Sequence, residues 1–223
     1  MSGDVIALIA SFVYVFAMIG IAEGLRRWRN YAVDFTRKFI HIAVGMWVYG
    51  TIWLFENRAM AIIPPLAFVL INALSYWLGT FKAMETGEKG NLGTIYFPLS
   101  FAALIWLLWD TPHLLAASLM PMTWGDALAA IVGRPVGQRT YTFAGSTRSL
   151  EGSVTMFVVS WIATFIPLWL MGGGGLSPLA AVGAAAVTAL ATTLVEAISP
   201  WGIDNLTVPV ISALVLVLVA ATP

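Results

Sequence analysis

Long apolar stretches without charge alternate with short polar segments along the whole chain. These stretches predict membrane-spanning helices near 5–22, 39–55, 59–79, 95–109, 112–132, 153–171, 177–197 and 205–222. A spanning helix needs about 20 apolar residues, so eight of them take up most of a 223-residue chain. The pattern therefore predicts an all-α fold, a polytopic integral membrane helical bundle of about eight transmembrane helices in one domain covering residues 1–223.

Glycine and proline interrupt two of the apolar stretches. Gly172 to Gly175 form a glycine run that divides the charge-free segment from Gly152 to Val195 into two spans. Pro64 and Pro65 lie inside the third span, where we expect a kink that packed neighbouring helices can tolerate.

The composition supports a membrane protein and removes several classes of function. Hydrophobic residues make up 60% of the chain and charged residues only 10%, whereas soluble domains carry roughly 25% charged residues. The chain has no cysteine, so disulfides, thiolate metal sites and cysteine nucleophiles are excluded. The formal net charge is zero, and the sequence indicates no nucleic-acid partner.

The basic residues predict the orientation of the chain in the membrane. Of the 11 Lys and Arg residues only Arg58 falls in an even-numbered loop. The others lie in loops one, three and five: Arg26, Arg27, Arg29, Arg37, Lys38, Lys82, Lys89, Arg134, Arg139 and Arg148. The positive-inside rule then places the odd-numbered loops in the cytoplasm and both termini outside. The remaining polar residues gather on the same side, which predicts an active site on the cytoplasmic face of the cell membrane.

Two groups of basic residues are candidates for binding phosphate. Arg37, Lys38 and His41 can share one face where the second span begins. Two cations at a helix N-terminus are unfavourable, and a bound anion would offset this; the alternative is a topology anchor. Loop five holds Arg134, Arg139 and Arg148, whose paired donors suit phosphate oxygens, and Ser149 can cap the helix that follows. The alternative there is an ordinary basic loop.

A glycine-rich segment from Lys82 to Phe97 could also approach a phosphate. Gly87, Gly90 and Gly93 permit close backbone approach. Glycine spacing of this kind is weak evidence, and a plain loop is the preferred interpretation.

Acidic residues recur at the inner ends of the predicted spans. Asp126 lies about two turns inside the fifth span, where a carboxylate is costly and usually faces a cavity or a partner. Glu151 begins the sixth span, and Glu196, Asp204 and Asn205 surround loop seven, which holds no Lys or Arg. A buried acid satisfied by a neighbouring helix is the structural alternative.

Together these residues indicate phosphoryl transfer. Carboxylates with few histidines suit Mg²⁺, which binds through one or two carboxylates plus substrate phosphates. The candidate ligands are Asp126, Glu151, Glu196 and Asp204. Phosphoryl transfer requires positioning, charge neutralisation and a carboxylate that accepts the attacking hydroxyl's proton. The sequence holds no P-loop and no protein-kinase signature set.

The ordered motifs resemble the CTP-dependent polyprenol kinase family, which includes dolichol kinase and phytol kinase and is related to the phosphatidate cytidylyltransferases. The resemblance rests on RKFIH at 37–41, GTIYFPLS at 93–100, GDALAAIVGRPVG at 125–137, STRSLEGS at 146–153 and EAISPWGIDNLTVP at 196–209. The motif-bearing part is therefore 37–209. The small size looks most similar to the bacterial and plastid phytol kinases. The family usually has Lys where this chain has Arg148; the positive charge is kept, but not the compact ammonium.

The resemblance implies a membrane kinase that transfers the γ-phosphoryl group of CTP, or UTP, to a long isoprenoid alcohol such as phytol or geranylgeraniol, with Mg²⁺. Asp126 is the leading candidate for metal ligand or general base, because it lies deepest in the membrane. Arg37, Lys38, His41, Arg134, Arg139, Arg148 and Asn205 are candidate nucleotide or phosphate contacts.

Three alternatives remain open at this point. The chain could be a cytidylyltransferase that makes a CDP-lipid, a CTP-dependent diacylglycerol kinase, or a small lipid transporter. The clustering of polar residues on one side and the lack of recognisable inverted repeats argue against a transporter. The sequence leaves the oligomeric state open, since the small residues from Ala180 to Thr193 permit close packing within one chain or in a homo-oligomer.

Overall fold

The computed structural model describes residues 3–29, 33–78, 90–172 and 175–220, which fold into α-helices joined by short connections and one small hairpin. The helices are α1 Gly3–Arg29, α2 Val33–Gly45, α3 Trp47–Leu54, α4 Arg58–Ala61, α5 Ile63–Leu78, α6 Gly93–Leu108, α7 Pro112–Met120, α8 Ala127–Val136, α9 Leu150–Met171, α10 Pro178–Ile198 and α11 Asp204–Ala220. A π-helical turn, Pro121–Asp126, joins α7 to α8. Strands β1 Thr140–Phe143 and β2 Ser146–Ser149 form the hairpin.

Each predicted span corresponds to helix in this structure. Within the described residues, five segments are long and apolar enough to cross a membrane: Gly3–Trp28, Arg58–Leu78, Pro112–Val136, Leu150–Met171 and Pro178–Ile198. Helices α6 and α11 are shorter apolar helices, and α2 with α3 fills the predicted span at 39–55. The prediction of an all-α membrane bundle is confirmed, whereas the side on which each terminus lies stays a prediction.

The predicted breaks coincide with helix ends. Helix α4 ends at Ala61 and α5 begins at Ile63, so Pro64 and Pro65 lie in the first turn of a new helix, where a missing backbone N–H costs least. Helix α9 ends at Met171 with Gly172 as its C-cap. Helix α10 begins after Ser177, whose side chain accepts from the Ala180 N–H.

Helix α7 lies at the centre of the bundle. Every residue from Leu114 to Met120 is buried, and the helix packs against α9 and α11. The π-helical turn that follows allows close packing through small residues. A Cβ at Gly125 would overlap the Ser160 hydroxyl of α9 and lie 2.8 Å from the Met156 sulfur. This packing fixes the position of Asp126 at the end of the turn.

The hairpin was not predicted, because its polar sequence reads as a basic loop. Thr140 pairs with Ser149 and Phe143 with Ser146. The turn between the strands uses Ala144 and Gly145, both with positive φ. The Ser149 hydroxyl accepts from the Gly152 N–H at 3.1 Å and so caps α9, as the sequence indicated. The hairpin forms the second half of loop five and is therefore fixed directly to the start of α9.

Candidate active site

Three buried carboxylates from different parts of the chain meet at one place. Asp126 ends the π-helical turn, Glu196 lies in the last turn of α10, and Asp204 begins α11. One carboxylate oxygen from each lies within 4.8 Å of the others. Their exposed fractions are 7%, 4% and 7%, respectively. Three acids so close in a dry site repel one another, so the group requires cationic partners.

Two cations from different parts of the chain contact these carboxylates. Lys38 Nζ lies 2.6 Å from Asp126 Oδ2. Arg148 Nε lies 2.5 Å from Glu196 Oε1, an ion pair without hydrogen-bond alignment, and Arg148 Nη2 lies 3.3 Å from Asp204 Oδ2. Among the described residues, the three carboxylates and the two cations paired with them sum to one formal negative charge. Buried oxygens with residual negative charge suit a hard divalent cation.

Arg148 lies in β2, and the neighbouring carboxylates stabilise its charged form. Burial on its own lowers the pKa of the guanidinium, but the charges of Glu196 and Asp204 outweigh this effect and raise the pKa above its usual value. Arg148 Nη2 also donates to the Ser199 carbonyl at 3.3 Å. The arginine therefore stays charged and ties the hairpin to the inner ends of α10 and α11.

His41 positions α2 against the π-helical turn. Its Nε2 lies 2.8 Å from the Met122 carbonyl oxygen. A carbonyl can only accept, so Nε2 carries the hydrogen. The same nitrogen is 3.8 Å from Asp126 Oδ2, and the ring packs against Phe97 with centroids 4.4 Å apart. His41 therefore borders the acid cluster on its apolar side.

The structure does not bring Glu151 to the other three acids. Its carboxylate faces the backbone of residues 138–139, and Oε2 lies 3.5 Å from the Arg139 nitrogen. Within the described part of the chain, Glu151 is not among the residues that line the site cavity. Arg139 is also exposed beside the hairpin and outside the cavity lining. The sequence-based roles of Glu151 and Arg139 stay predictions.

The acid cluster opens into a cavity of about 1250 Å³. Of the predicted site residues, those lining it are Arg37, Lys38, His41, Asp126, Arg134, Arg148, Glu196, Asp204 and Asn205. The side chain of Asn205 donates to the Gly202 carbonyl and to Asp204 Oδ1 at 2.9 Å, which holds that carboxylate in place. Residues 82–89 of the glycine-rich segment from Lys82 to Phe97 lie outside the described residues, whereas Gly93 of the same segment lines the cavity.

Sequence reasoning missed two polar residues of the same cavity, Asn72 and Tyr76. Asn91 and Thr94, from the glycine-rich segment, also line it, and the Asn72 side chain donates to the Thr94 carbonyl at 2.7 Å. A signal was present for Asn72, because an amide inside the apolar span at 59–79 is unusual and normally has a polar neighbour. No comparable signal distinguishes Tyr76, since aromatic residues near span ends are common in membrane proteins.

Comparisons with known proteins identify the class. The phytol kinase of the cyanobacterium Synechocystis is 33% identical over 94% of this chain and 90% of its own length. A probable chloroplastic phytol kinase of rice is 26% identical over 89% of this chain. The chloroplastic farnesol kinase of Arabidopsis thaliana is 25% identical over 95% of this chain.

The chain therefore belongs to the polyprenol kinase family that includes the phytol kinases, as its motifs indicated. No protein-family model matches the sequence. No solved structure matches it either.

Proposed function

We propose that this protein transfers the γ-phosphoryl group of CTP, or UTP, to the hydroxyl of a long isoprenoid alcohol, with phytol or geranylgeraniol as the first candidates. The observation that carries the proposal is the buried acid cluster at the polar end of a cavity that continues between apolar helices. A carboxylate cluster with Lys and Arg suits a metal-bound polyphosphate, and the apolar continuation suits a lipid. The phytol kinase and farnesol kinase relatives support the same reaction.

The acid cluster has the chemistry of an Mg²⁺ site, and Asp126, Glu196 and Asp204 would hold the ion. Their carboxylate oxygens are hard ligands, are buried, and lie close enough to share one cation. When bound, Mg²⁺ neutralises charge on the phosphate oxygens. The ion would compete with Lys38 and Arg148 for the same carboxylates.

The two sides of the acid cluster bind different substrates. Glu196 and Asp204 face the hairpin through Arg148, so the nucleotide phosphates bind on that side, with Arg134 at the cavity edge. Lys38 and Arg37 reach the phosphates from α2. Asp126 borders His41, whose ring packs against Phe97, and the alcohol hydroxyl binds beside Asp126 on this apolar side.

Asp126 accepts the hydroxyl proton as the alcohol oxygen attacks the γ-phosphorus. The bond from that phosphorus to the bridging oxygen breaks, and CDP leaves. The reaction takes place on the cytoplasmic face of the cell membrane, where the nucleotide is available, and we assign it to residues 1–223 as one catalytic domain.

Purified protein in lipid nanodiscs tests the proposal. CTP, UTP and ATP, each labelled at the γ-phosphate, are offered with Mg²⁺ against phytol, geranylgeraniol, a long polyprenol and diacylglycerol. Labelled lipid monophosphate and CDP are the expected products. Release of pyrophosphate would indicate a cytidylyltransferase, and labelled phosphatidate would indicate a diacylglycerol kinase. Movement of an unmodified lipid between leaflets without any phosphorylated product would indicate a transporter.

A further inference from the structure

The site cavity does not end at the acid cluster. It continues past Phe97 along one face of α6, where Phe101 and Ile105 line it. Trp47 and Thr51 of α3 form the facing wall, and Phe68 of α5 lines a further side. Most of these side chains are apolar and none is charged, so this part of the cavity offers no cation to a phosphate. We call it the tail pocket.

Three paths along the surrounding helices give similar depths for the tail pocket. A helix rises 1.5 Å per residue, so the step from Phe97, which contacts His41, to Ile105 is about 12 Å. From His41 to Thr51 the distance along α2 and α3 is about 15 Å. From Asn72 to Pro64 along α5 it is about 12 Å. The pocket therefore reaches about half-way across a ~30 Å hydrocarbon core.

The outer end of the tail pocket is closed. One turn beyond Thr51, Pro64 and Ile105 lie Phe55, Ala61 and Leu108, which are buried in the hydrophobic core. None of these three is among the residues that line the cavity in the described ranges. The pocket is therefore blind, with Thr51 and Ile105 at its floor.

The walls of the tail pocket are held in fixed positions. Trp47 Nε1 donates to the Ser11 hydroxyl at 2.9 Å, and its ring stacks on Tyr14 at 4.5 Å between centroids. Phe68 packs against Phe12 and Phe16 of α1, each at 5.7 Å, and so separates the pocket from lipid at that level. A flexible isoprenoid tail bound here would take a conformation that these fixed walls determine.

We infer that the tail pocket encloses the isoprenoid tail of the alcohol, and that Ile105 and Thr51 set an upper limit on tail length. The inference rests on the proposed function for its ligand. A blind pocket that begins at the acid cluster aligns the hydroxyl with Asp126 when the tail fills it. The extended tail of geranylgeraniol is already longer than the depth of about 12–15 Å, so it binds folded within the pocket. A long polyprenol has many more isoprene units than the pocket can hold and is excluded on steric grounds.

The test changes the floor of the pocket and compares two tail lengths. Ile105→Trp shortens the pocket, and Leu107→Trp is the matched control, because Leu107 is on the same helix but 73% exposed towards lipid. With Ile105→Trp, we expect the ratio of kcat/KM for geranylgeraniol to that for farnesol to fall by at least about tenfold, the range that an extra group in an apolar pocket produces. The control should leave the ratio within about twofold. An unchanged ratio in Ile105→Trp overturns the inference.

A second variant and a binding measurement keep the test decisive. Ile105→Ala only removes atoms from the floor, and it should shift the preference towards longer alcohols. Alcohol binding is measured without nucleotide, from the rise in thermal unfolding midpoint that farnesol, geranylgeraniol or a long polyprenol produces. If the wild type phosphorylates no isoprenoid alcohol but its binding remains limited by length and by Ile105, the proposed function fails and the tail pocket stands. If all three alcohols bind equally to the wild type and both variants, the tail pocket fails.

Discussion

The two halves of the molecule that meet at the site are built differently. In the segment Pro112–Val136, which carries Asp126, 72% of the most apolar 18-residue stretch is buried inside the protein. The corresponding shares are 22% in α1 and 17% in the segment Arg58–Leu78. The shares for α9 and α10 are intermediate, 28% and 33%. The segment Pro112–Val136 is thus the packed centre of α7 to α11, which carry the acids, whereas α1 to α5 form an outer layer that carries Lys38, His41 and part of the tail-pocket wall.

This difference indicates which property each half determines. Asp126, Glu196 and Asp204 must keep carboxylate oxygens within 4.8 Å of one another, and a densely packed bundle resists displacements that would separate them. The outer layer joins the bundle near the site chiefly through α2, by the Lys38–Asp126 pair and the His41–Met122 hydrogen bond. We therefore expect the bundle to determine the chemistry, and the outer layer together with α6 to determine which lipid reaches the site.

The largest effect is expected from Asp126→Asn. The variant removes one of the three carboxylates and leaves Lys38 without its charge partner. We expect kcat to fall by roughly 10²–10⁴-fold, the range for loss of a proton-transfer group. The rate is measured with labelled CTP and phytol. Asp110→Asn, in the exposed connection between α6 and α7, is the control and should behave like the wild type. Near-normal turnover in Asp126→Asn would remove the acid cluster from the reaction.

Lys38→Met tests the contribution of the outer layer. We expect kcat/KM for the nucleotide to fall by about 10²-fold, because a donor to the transferring phosphate is lost. The same change frees Asp126, so Mn²⁺ should bind more tightly in the absence of nucleotide, as followed by electron paramagnetic resonance of free Mn²⁺. Arg27→Gln, at an exposed ion pair with Glu23, is the control. Unchanged Mn²⁺ affinity would mean that Lys38 does not compete with the metal.

Gly125→Ala and Gly20→Ala compare the packing of the two halves directly. A Cβ at Gly125 would overlap Ser160, and overpacking of this kind costs about 1–3 kcal/mol. A Cβ at Gly20 of α1 has nothing within 4 Å. Thermal unfolding in detergent should show a lower midpoint for Gly125→Ala and no loss for Gly20→Ala. Equal midpoints would contradict the difference in packing.

The smallest effect is expected from Glu151→Gln. Its carboxylate faces the hairpin backbone rather than the acid cluster, so activity should stay within about threefold of the wild type, as for a substitution away from the site. The assay is the one used for Asp126→Asn, and the two variants are measured together. A loss as large as that of Asp126→Asn would restore Glu151 as a metal ligand or catalytic group.

The sequence predicts the helices well because apolar length alone determines a spanning segment. It also identifies Asp126, since a carboxylate inside an apolar span requires a partner. It does not identify that partner, because Lys38 lies 88 residues away and only the folded bundle brings the two together. Glu151 shows the opposite case. Its position beside Arg148 and Ser149 in the sequence suggests a shared site, but the hairpin directs Arg148 to the acids and Glu151 to the backbone of residues 138–139.

The π-helical turn Pro121–Asp126 has a consequence for how this region can tolerate insertions and deletions. A π turn holds one residue more than the α-helical turn it replaces, so the residues inside it do not follow the α-helical phase of α7. Deleting one residue between Pro121 and Gly125 would restore an ordinary α-helical turn with a similar hydropathy profile. It would also change which residues of this turn face α9, where Gly125 now packs on Ser160. The fit of the turn therefore depends on a single unit of chain length that no substitution can replace.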